Sequence, residues 1–191
     1  MTRPQLSEER YGPSPSLPAE SSLINLFRLL PESSRPLIEF HEILLRGPSP
    51  FTEGEREMIA SYVSGLNRCR YCSGVHVATA ELLGIPKTSV ESAILDSDTA
   101  QISEKMKPVL RYAQKLTLHP HSLEQSDADA ILAAGWDEVA LFHTVAVASL
   151  FNFMNRLVEG MGIELDVQYV KPASERLAKS GYLPLIAMLS K

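Results

Sequence analysis

Two cysteines three positions apart, Cys69 and Cys72, are the residues of this sequence best suited to covalent chemistry. They are the only cysteines in the chain, so no disulfide can join two distant segments of it. A bridge closing so short a loop would stabilise the fold little, because the unfolded-state entropy removed by a disulfide grows with loop length. In a reducing compartment this spacing indicates redox chemistry, with zinc binding and inert thiols as the alternatives. A zinc site would need further ligands, and no other cysteine exists to supply them.

His76 has the spacing needed to act with both cysteines. On a helix that turns about 100° per residue, Cys69 and Cys72 lie about 60° apart and His76 projects between them, so the three share one stripe. Both cysteines would fall in the first turn of their helix, with Cys69 at the more exposed helix start. Unpaired N–H groups and the positive end of the helix dipole favour a thiolate there, as a nucleophilic Cys-x-x-Cys pair requires.

Glu57 is the carboxylate that the preceding helix could bring to this stripe. It lies beside small residues that let a neighbouring helix approach closely, whereas Glu53 and Glu55 of the same helix are expected to be solvated. We expect Glu57 to be partly buried, with a raised pKa suited to proton transfer.

Capping residues, among them a capping box of Thr52 and Glu55, and apolar periodicity predict helices along nearly the whole chain after residue 20. The expected helices cover about 34–47, 52–66, 69–83, 86–95, 103–118, 126–135, 137–159 and 166–180. No strand-like alternation is present, so the predicted class is all-α. The short connection after Leu66 predicts an antiparallel helical hairpin that carries the Cys-x-x-Cys motif. Residues 1–20, rich in Pro and Ser, are expected to form an irregular arm, and 21–191 one helical domain.

Composition excludes several classes of protein. The chain has 191 residues, 45% hydrophobic and 21% charged, which is typical of a globular protein. A net charge of −5 argues against general nucleic-acid binding. The N-terminus has no apolar signal segment, and the longest apolar run, about 139–153, is interrupted by polar residues. We therefore expect a cytoplasmic protein that spans no membrane.

Polar residues within that apolar run are expected to be structural. His143 is interpreted as a core histidine whose ring nitrogens are satisfied by hydrogen bonds. Asn152, Asn155 and Arg156 interrupt an apolar helix and are interpreted as structural contacts or part of a subunit interface.

The spacing of Glu57, Cys69, Cys72 and His76 resembles the AhpD signature of the carboxymuconolactone decarboxylase-like superfamily. The stretch NRCRYCSGVHVATAELLG is similar to the core helix of that family. The later LFNFMNRLVEGMGI resembles its subset of peroxidase-related enzymes. The resemblance extends over about residues 21–190.

This resemblance implies an all-helical AhpD-like fold assembled into homo-oligomers, commonly trimers or hexamers. It implies reduction of peroxides with no metal and no cofactor, in which Cys72 is the peroxidatic cysteine and Cys69 the resolving one. His76 and Glu57 would form the proton relay, and an external dithiol, of lipoyl type in the AhpD proteins, would restore the thiols. One departure is Tyr71, which stands where the best-known members have a histidine; a phenol cannot replace an imidazole as a base near neutral pH.

Two other roles would use the same cysteines. A disulfide reductase or adaptor would pass electrons to a partner peroxidase and would not itself turn over peroxide. A redox-sensing oligomer would change its assembly on oxidation and would have negligible turnover.

Overall fold

Helices account for most of the structure, a computed structural model that describes residues 22–190. The arm expected at residues 1–20 lies outside this range. Within it the chain forms helices and short 3₁₀ segments and no strand, so the predicted all-α class is confirmed. The elements in order are α1 (Leu23–Leu29), α2 (Pro31–Arg46), α3 (Glu53–Leu66), α4 (Arg70–Leu82), α5 (Lys87–Leu95), α6 (Met106–Leu118), a 3₁₀ turn (Pro120–Ser122), α7 (Gln125–Ala133), α8 (Glu138–Gly160), α9 (Val167–Ser180) and a C-terminal 3₁₀ segment (Leu183–Met188).

Helix boundaries differ from the expected ones mainly near the N-terminus. Helix α1 was not predicted, and α2 begins at Pro31 instead of just after Ser34. Proline suits the first helical position because its missing N–H would be unpaired there in any case. As a result, Pro36 lies inside α2 and not in its first turn.

The predicted hairpin consists of α3 and α4. Thr52 and Glu55 form the expected capping box at the start of α3. After α3, Arg68 adopts a left-handed conformation with φ 58°, and the Cys69 amide donates to the Ser64 carbonyl at 3.0 Å. This tight reversal sends α4 back along α3 and places both cysteines at its start.

Close approach of the two helices depends on Gly54. A Cβ at this position would lie 2.8 Å from the Leu83 carbonyl oxygen, which is backbone and cannot move aside. The absence of a side chain at Gly54 therefore lets the first turn of α3 pack on the end of α4, one turn before Glu57.

Helix α8 is the core helix of the domain. It has 23 residues and packs against α3 and α6. The helix matches the range expected for it, 137–159, and by length and composition alone it could cross a membrane, although the apolar run within it is interrupted by polar residues. Half of its most apolar window is buried inside the protein, however, as in the core helix of a globular fold.

The polar residues of α8 make structural contacts, as expected. Asn67 donates from Nδ2 to Asn152 Oδ1 at 3.0 Å and to Asn155 Oδ1 at 2.9 Å, and Asn155 donates to Ser64 Oγ at 3.0 Å. These bonds join α8 to the α3–α4 turn. His143 is buried, but its Nδ1 atom has no hydrogen-bond partner among residues 22–190, so it is a core histidine without the expected full pairing.

Replacement of Gly54 by Ala should destabilise the fold. The added Cβ meets the Leu83 carbonyl, and overpacking of this kind costs about 1–3 kcal/mol. Chemical denaturation followed by circular dichroism would measure the change. Gly160→Ala is the matched control, because a Cβ there meets no atom within 4 Å and should stabilise by roughly 0.5 kcal/mol. Equal stability of the Gly54→Ala and wild-type proteins would contradict the close approach.

Candidate active site

Glu57 is fully buried and is held by three side chains from other parts of the chain. Its Oε2 accepts a hydrogen bond from His76 Nδ1 at 2.6 Å. Its Oε1 accepts from Arg46 Nη2 at 2.6 Å and from the Tyr182 hydroxyl at 2.9 Å. The structure thus brings Glu57 and His76 together, as the sequence predicted. Arg46 and Tyr182 were not predicted.

The electrostatic environment of Glu57 is opposite to the expected one. Burial raises the pKa of this carboxyl, but the adjacent His76 and the Arg46 guanidinium outweigh burial and lower the pKa to about 2. The prediction of a raised pKa was therefore wrong, since the sequence did not show that a buried arginine would face the carboxylate. Glu57 is ionised at neutral pH, which suits it to orient His76 and stabilise an imidazolium.

His76 lies in the middle of α4, and one of its two ring nitrogens is already hydrogen-bonded. Its Nδ1 donates to Glu57, so Nε2 is the nitrogen left for chemistry. The ring packs edge-on against Phe151 of α8, with the centroids 4.6 Å apart. These two contacts fix the orientation of the imidazole and its tautomer.

Both cysteines are free and buried at the start of α4. Cys69 is the N-cap residue, and Cys72 is in the first turn. A hydrogen bond from the Cys69 thiol to Cys72, together with burial, raises the pKa of Cys69 far above its usual range. The expectation of a thiolate at the helix start was therefore wrong for Cys69. The expectation that Cys69 is the more exposed of the two cysteines was also wrong, because Cys69 is 0% exposed and Cys72 is 4% exposed.

Cys72 and His76 line one partly enclosed, largely apolar cavity. Its walls come from α1, α2, α4, α8, α9 and the C-terminal segment, and its volume is about 50 Å³. One water molecule needs roughly 10–15 Å³ of such space, so hydrogen peroxide or the hydroperoxy group of a larger molecule fits. Apolar lining residues include Phe27, Ile38 and Met154.

A second histidine, His41 of α2, lines the same cavity. Its Nδ1 donates to the Leu37 carbonyl at 2.7 Å, which leaves Nε2 as an acceptor. Burial lowers the pKa of His41 to about 4, although the bond to Leu37 opposes this, so the ring is neutral at neutral pH. Sequence analysis missed His41 because a lone histidine on an amphipathic helix carries no spacing signal that links it to residues some 30 positions later.

Tyr71 also lies on the cavity wall and cannot act as a base there. Burial raises its pKa well above the usual range, and its neighbour Tyr169 of α9 adds to this effect. The two rings are stacked, with centroids 6.2 Å apart, and the Tyr169 hydroxyl accepts from Arg176 Nη2 at 3.1 Å. The sequence-based conclusion that Tyr71 does not replace a histidine base agrees with this environment.

Cys69 faces a different space from Cys72. It lies at the base of an open groove of about 370 Å³ whose walls include Arg68, Arg70 and Ser73. The two cysteines therefore adjoin separate spaces, one partly enclosed and apolar, the other open and basic. In the described part of the chain, no group of three or more His, Cys, Asp or Glu residues is arranged to hold a metal ion.

Comparisons with known proteins agree with the fold. Residues 31–115 match the carboxymuconolactone decarboxylase family, and this range includes all four site residues that the sequence predicted. A search of curated proteins finds no significant match.

Two solved structures share the architecture. One is described as the alkylhydroperoxidase AhpD core of a peroxidase-related protein from Ralstonia eutropha JMP134; it is 22% identical with a TM-score of 0.71, over 75% of this chain and 76% of that one. The other, a peroxidase-related protein from Silicibacter sp. TM1040, is 23% identical with a TM-score of 0.72, over 78% of each chain. The chain therefore has the all-helical fold of these two structures, and its residues 31–115 match the carboxymuconolactone decarboxylase family.

Proposed function

We propose that the protein is a thiol-dependent peroxidase that reduces hydrogen peroxide or organic hydroperoxides through Cys69 and Cys72. The observation that carries this proposal is the position of Cys72 and His76 on one partly enclosed cavity, with His76 held by the ionised Glu57. A nucleophilic thiol, a base oriented by a third group and an apolar space for substrate are the parts that such chemistry requires.

The first step forms a sulfur–oxygen bond at Cys72. His76 Nε2 takes the thiol proton, and Glu57 stabilises the resulting imidazolium. The thiolate attacks the terminal oxygen of the hydroperoxide and breaks the O–O bond, so Cys72 becomes a sulfenic acid. The imidazolium returns its proton to the leaving alkoxide or hydroxide, which departs as an alcohol or water.

His41 provides the second imidazole of the cavity in this proposal. Its neutral Nε2 accepts a hydrogen bond from the O–H of the hydroperoxide and thereby orients the terminal oxygen toward Cys72. Two histidines with opposite surroundings then have separate tasks. His76 beside a carboxylate carries the proton, and His41 in an apolar setting accepts a hydrogen bond.

The second step closes a disulfide. The Cys69 thiol, already hydrogen-bonded to Cys72, condenses with the sulfenic acid and releases water. An external dithiol, for which a lipoyl-type group is one candidate, then exchanges with the disulfide and is itself oxidised. The open groove beside Cys69, with Arg68 and Arg70 on its walls, offers the approach for that reductant.

The groove beside Cys69 also supports a second candidate function, that of a disulfide reductase or adaptor that passes electrons to a partner peroxidase. A disulfide reductase needs a cysteine that a partner's sulfur can approach. The groove is the open space next to Cys69, which is itself 0% exposed and would have to be uncovered on binding of the partner. The partly enclosed cavity beside Cys72 has no role in an adaptor, so direct peroxide turnover distinguishes the two functions.

Assembly into a homo-oligomer, a trimer or hexamer, and a cytoplasmic location belong to the same proposal. Large apolar side chains on α2 and α8 support assembly: Phe40, Ile43, Phe142 and Phe153 are each about half exposed or more in the single chain. Contiguous exposed apolar surface is typical of subunit interfaces.

Serine variants should separate the roles of the two cysteines. Cys72→Ser should abolish oxidation by peroxide, because it removes the nucleophile. Cys69→Ser should still react once and stop at a sulfenic acid that a dimedone-type probe traps. Mass spectrometry of each variant after treatment with one equivalent of peroxide and the probe would measure the extent of oxidation and the trapped sulfenic acid. A sulfenic acid trapped in Cys72→Ser but not in Cys69→Ser would reverse the assignment of the peroxidatic and resolving cysteines.

Loss of the Glu57 carboxylate should slow Cys72 oxidation through His76. We expect Glu57→Gln and His76→Ala each to reduce the second-order rate by about 10²-fold. If Glu57 acts by orienting His76, Glu57→Gln should have little further effect in the His76→Ala background. Stopped-flow kinetics of the four proteins in this cycle would give the coupling. Independent, additive effects would contradict the relay and indicate a structural role for Glu57.

Removal of the His41 imidazole should slow peroxide reduction without changing thiol reactivity in general. We expect His41→Phe to lower the rate with peroxide by about 10-fold or more, since the hydroperoxide loses its acceptor. Alkylation of Cys72 by iodoacetamide, which involves no peroxide, should be unchanged.

The same variant should be more resistant to acid. Because the folded-state pKa of His41 is about 4 and the unfolded value is 6.5, the wild type loses stability as pH falls from 6.5 toward 4, by roughly 3 kcal/mol. His41→Phe should not show this loss in urea denaturation series across that range. An identical acid slope in both proteins would show that His41 is not buried in neutral form.

A further inference from the structure

Arg176 of α9 has few partners for a partly buried cation. It lines the cavity that also holds Cys72 and His76. Its Nη2 donates to the Tyr169 hydroxyl, and its guanidinium lies 5.9 Å from the centre of that ring. Within residues 22–190, its buried Nε has no hydrogen-bond partner and no carboxylate is recorded in an ion pair with its guanidinium.

Arg46, another arginine close to this site, differs from Arg176 in its partners. Its Nη1 and Nη2 groups donate to Glu57 and to the carbonyls of Leu45 and Leu177. Its Nε, like that of Arg176, has no hydrogen-bond partner among the described residues, but it lies 3.7 Å from the Glu53 carboxylate. Arg46 is thus neutralised within the protein, and it is held in place by these contacts. Among residues 22–190 Arg176 has no such counter-charge, and a partly buried charge beside apolar walls favours a ligand that provides one.

The position of Arg176 relative to the reacting sulfur is fixed by two stacked rings. Tyr71, which directly precedes Cys72, stacks on Tyr169, and Arg176 contacts Tyr169. The guanidinium therefore belongs to the same wall as the nucleophile but is separated from it by an aromatic pair. A molecule with its hydroperoxide at Cys72 would extend along apolar side chains before reaching Arg176.

We infer that Arg176 binds a carboxylate of the peroxide substrate, so that the preferred substrates are apolar hydroperoxides carrying an acidic group. This inference rests on the proposed thiol peroxidase function. The carboxylate is unchanged in the reaction, in which Cys72 is oxidised to the sulfenic acid and the hydroperoxide is reduced to the alcohol. Arginine suits this role because its planar N–H fork matches a carboxylate.

A matched pair of substrates tests the inference. The probes are cumene hydroperoxide bearing a para-carboxylate and the methyl ester of the same compound, which have the same hydroperoxide and nearly the same shape. Each is mixed with the reduced full-length protein in a stopped-flow instrument, and loss of thiols gives the second-order rate. We expect the acid to react about 10-fold faster than the ester, as a charge-assisted hydrogen bond allows.

Arg176→Gln should remove this preference by slowing the acid and leaving the ester within about twofold of the wild type. Arg176→Lys should keep part of it, because it keeps the charge and loses the fork. Arg35→Gln is the control, since it removes an equal charge from an exposed position on α2 and should keep the full preference. The acid-to-ester ratio is internal to each protein, so a change in stability does not mimic the effect.

Several outcomes would overturn the inference. Equal rates for acid and ester in the wild type would show that no carboxylate is recognised. A preference kept in Arg176→Gln, or lost in Arg35→Gln, would show that Arg176 is not the group responsible. If neither compound oxidises the wild-type protein, the proposed peroxidase function itself fails and the inference fails with it.

Discussion

The buried carboxylate of Glu57 is the constraint on which the rest of this site depends. An ionised carboxylate without exposure to water is tolerated only if it is paired and hydrogen-bonded. Its partners come from three other segments: Arg46 at the end of α2, His76 in α4 and Tyr182 just before the C-terminal 3₁₀ segment. One side chain therefore requires helices that are distant in sequence to meet, and their meeting also closes the cavity around Cys72.

The pairing also determines what kind of chemistry is available. Arg46 and His76 together keep Glu57 ionised, so the carboxylate does not serve as a proton donor at neutral pH. The proton-carrying task moves to His76, whose Nδ1 is tied to Glu57. His41, only a few side chains away, has no carboxylate partner and is neutral because of burial. The difference between the two histidines arises from their neighbours and not from their own residue type.

Sequence reasoning was most accurate where the relevant contacts are local. The helix class, the capping box of α3, the hairpin turn and the shared face of Cys72 and His76 follow from residues within a few turns of one another. The stripe was wrong for Cys69, which is the N-cap of α4 and faces the open groove instead. The meeting of Glu57 with His76 also followed, because the connection between their helices is short.

The sequence-based predictions that were wrong or missing concern residues whose contacts are distant in sequence. Tyr182 reaches Glu57 across more than a hundred residues, and neither its contact nor that of Arg46 has a periodic signal. Without these partners, burial alone predicts a raised pKa for Glu57, which is the wrong direction. The exposure of Cys69 was misjudged for a similar reason. A helix start is often exposed, but here neighbouring segments cover it.

Direct observation of the cysteine pair after contact with peroxide tests the central claim. Reduced protein would be mixed with an equimolar organic hydroperoxide, quenched by acid and digested, and the peptide containing Cys69 and Cys72 would be analysed by mass spectrometry. The account predicts a disulfide between the two cysteines, formed within the time of one turnover and accompanied by one equivalent of alcohol. Two thiols that remain reduced while the hydroperoxide is not consumed would contradict it.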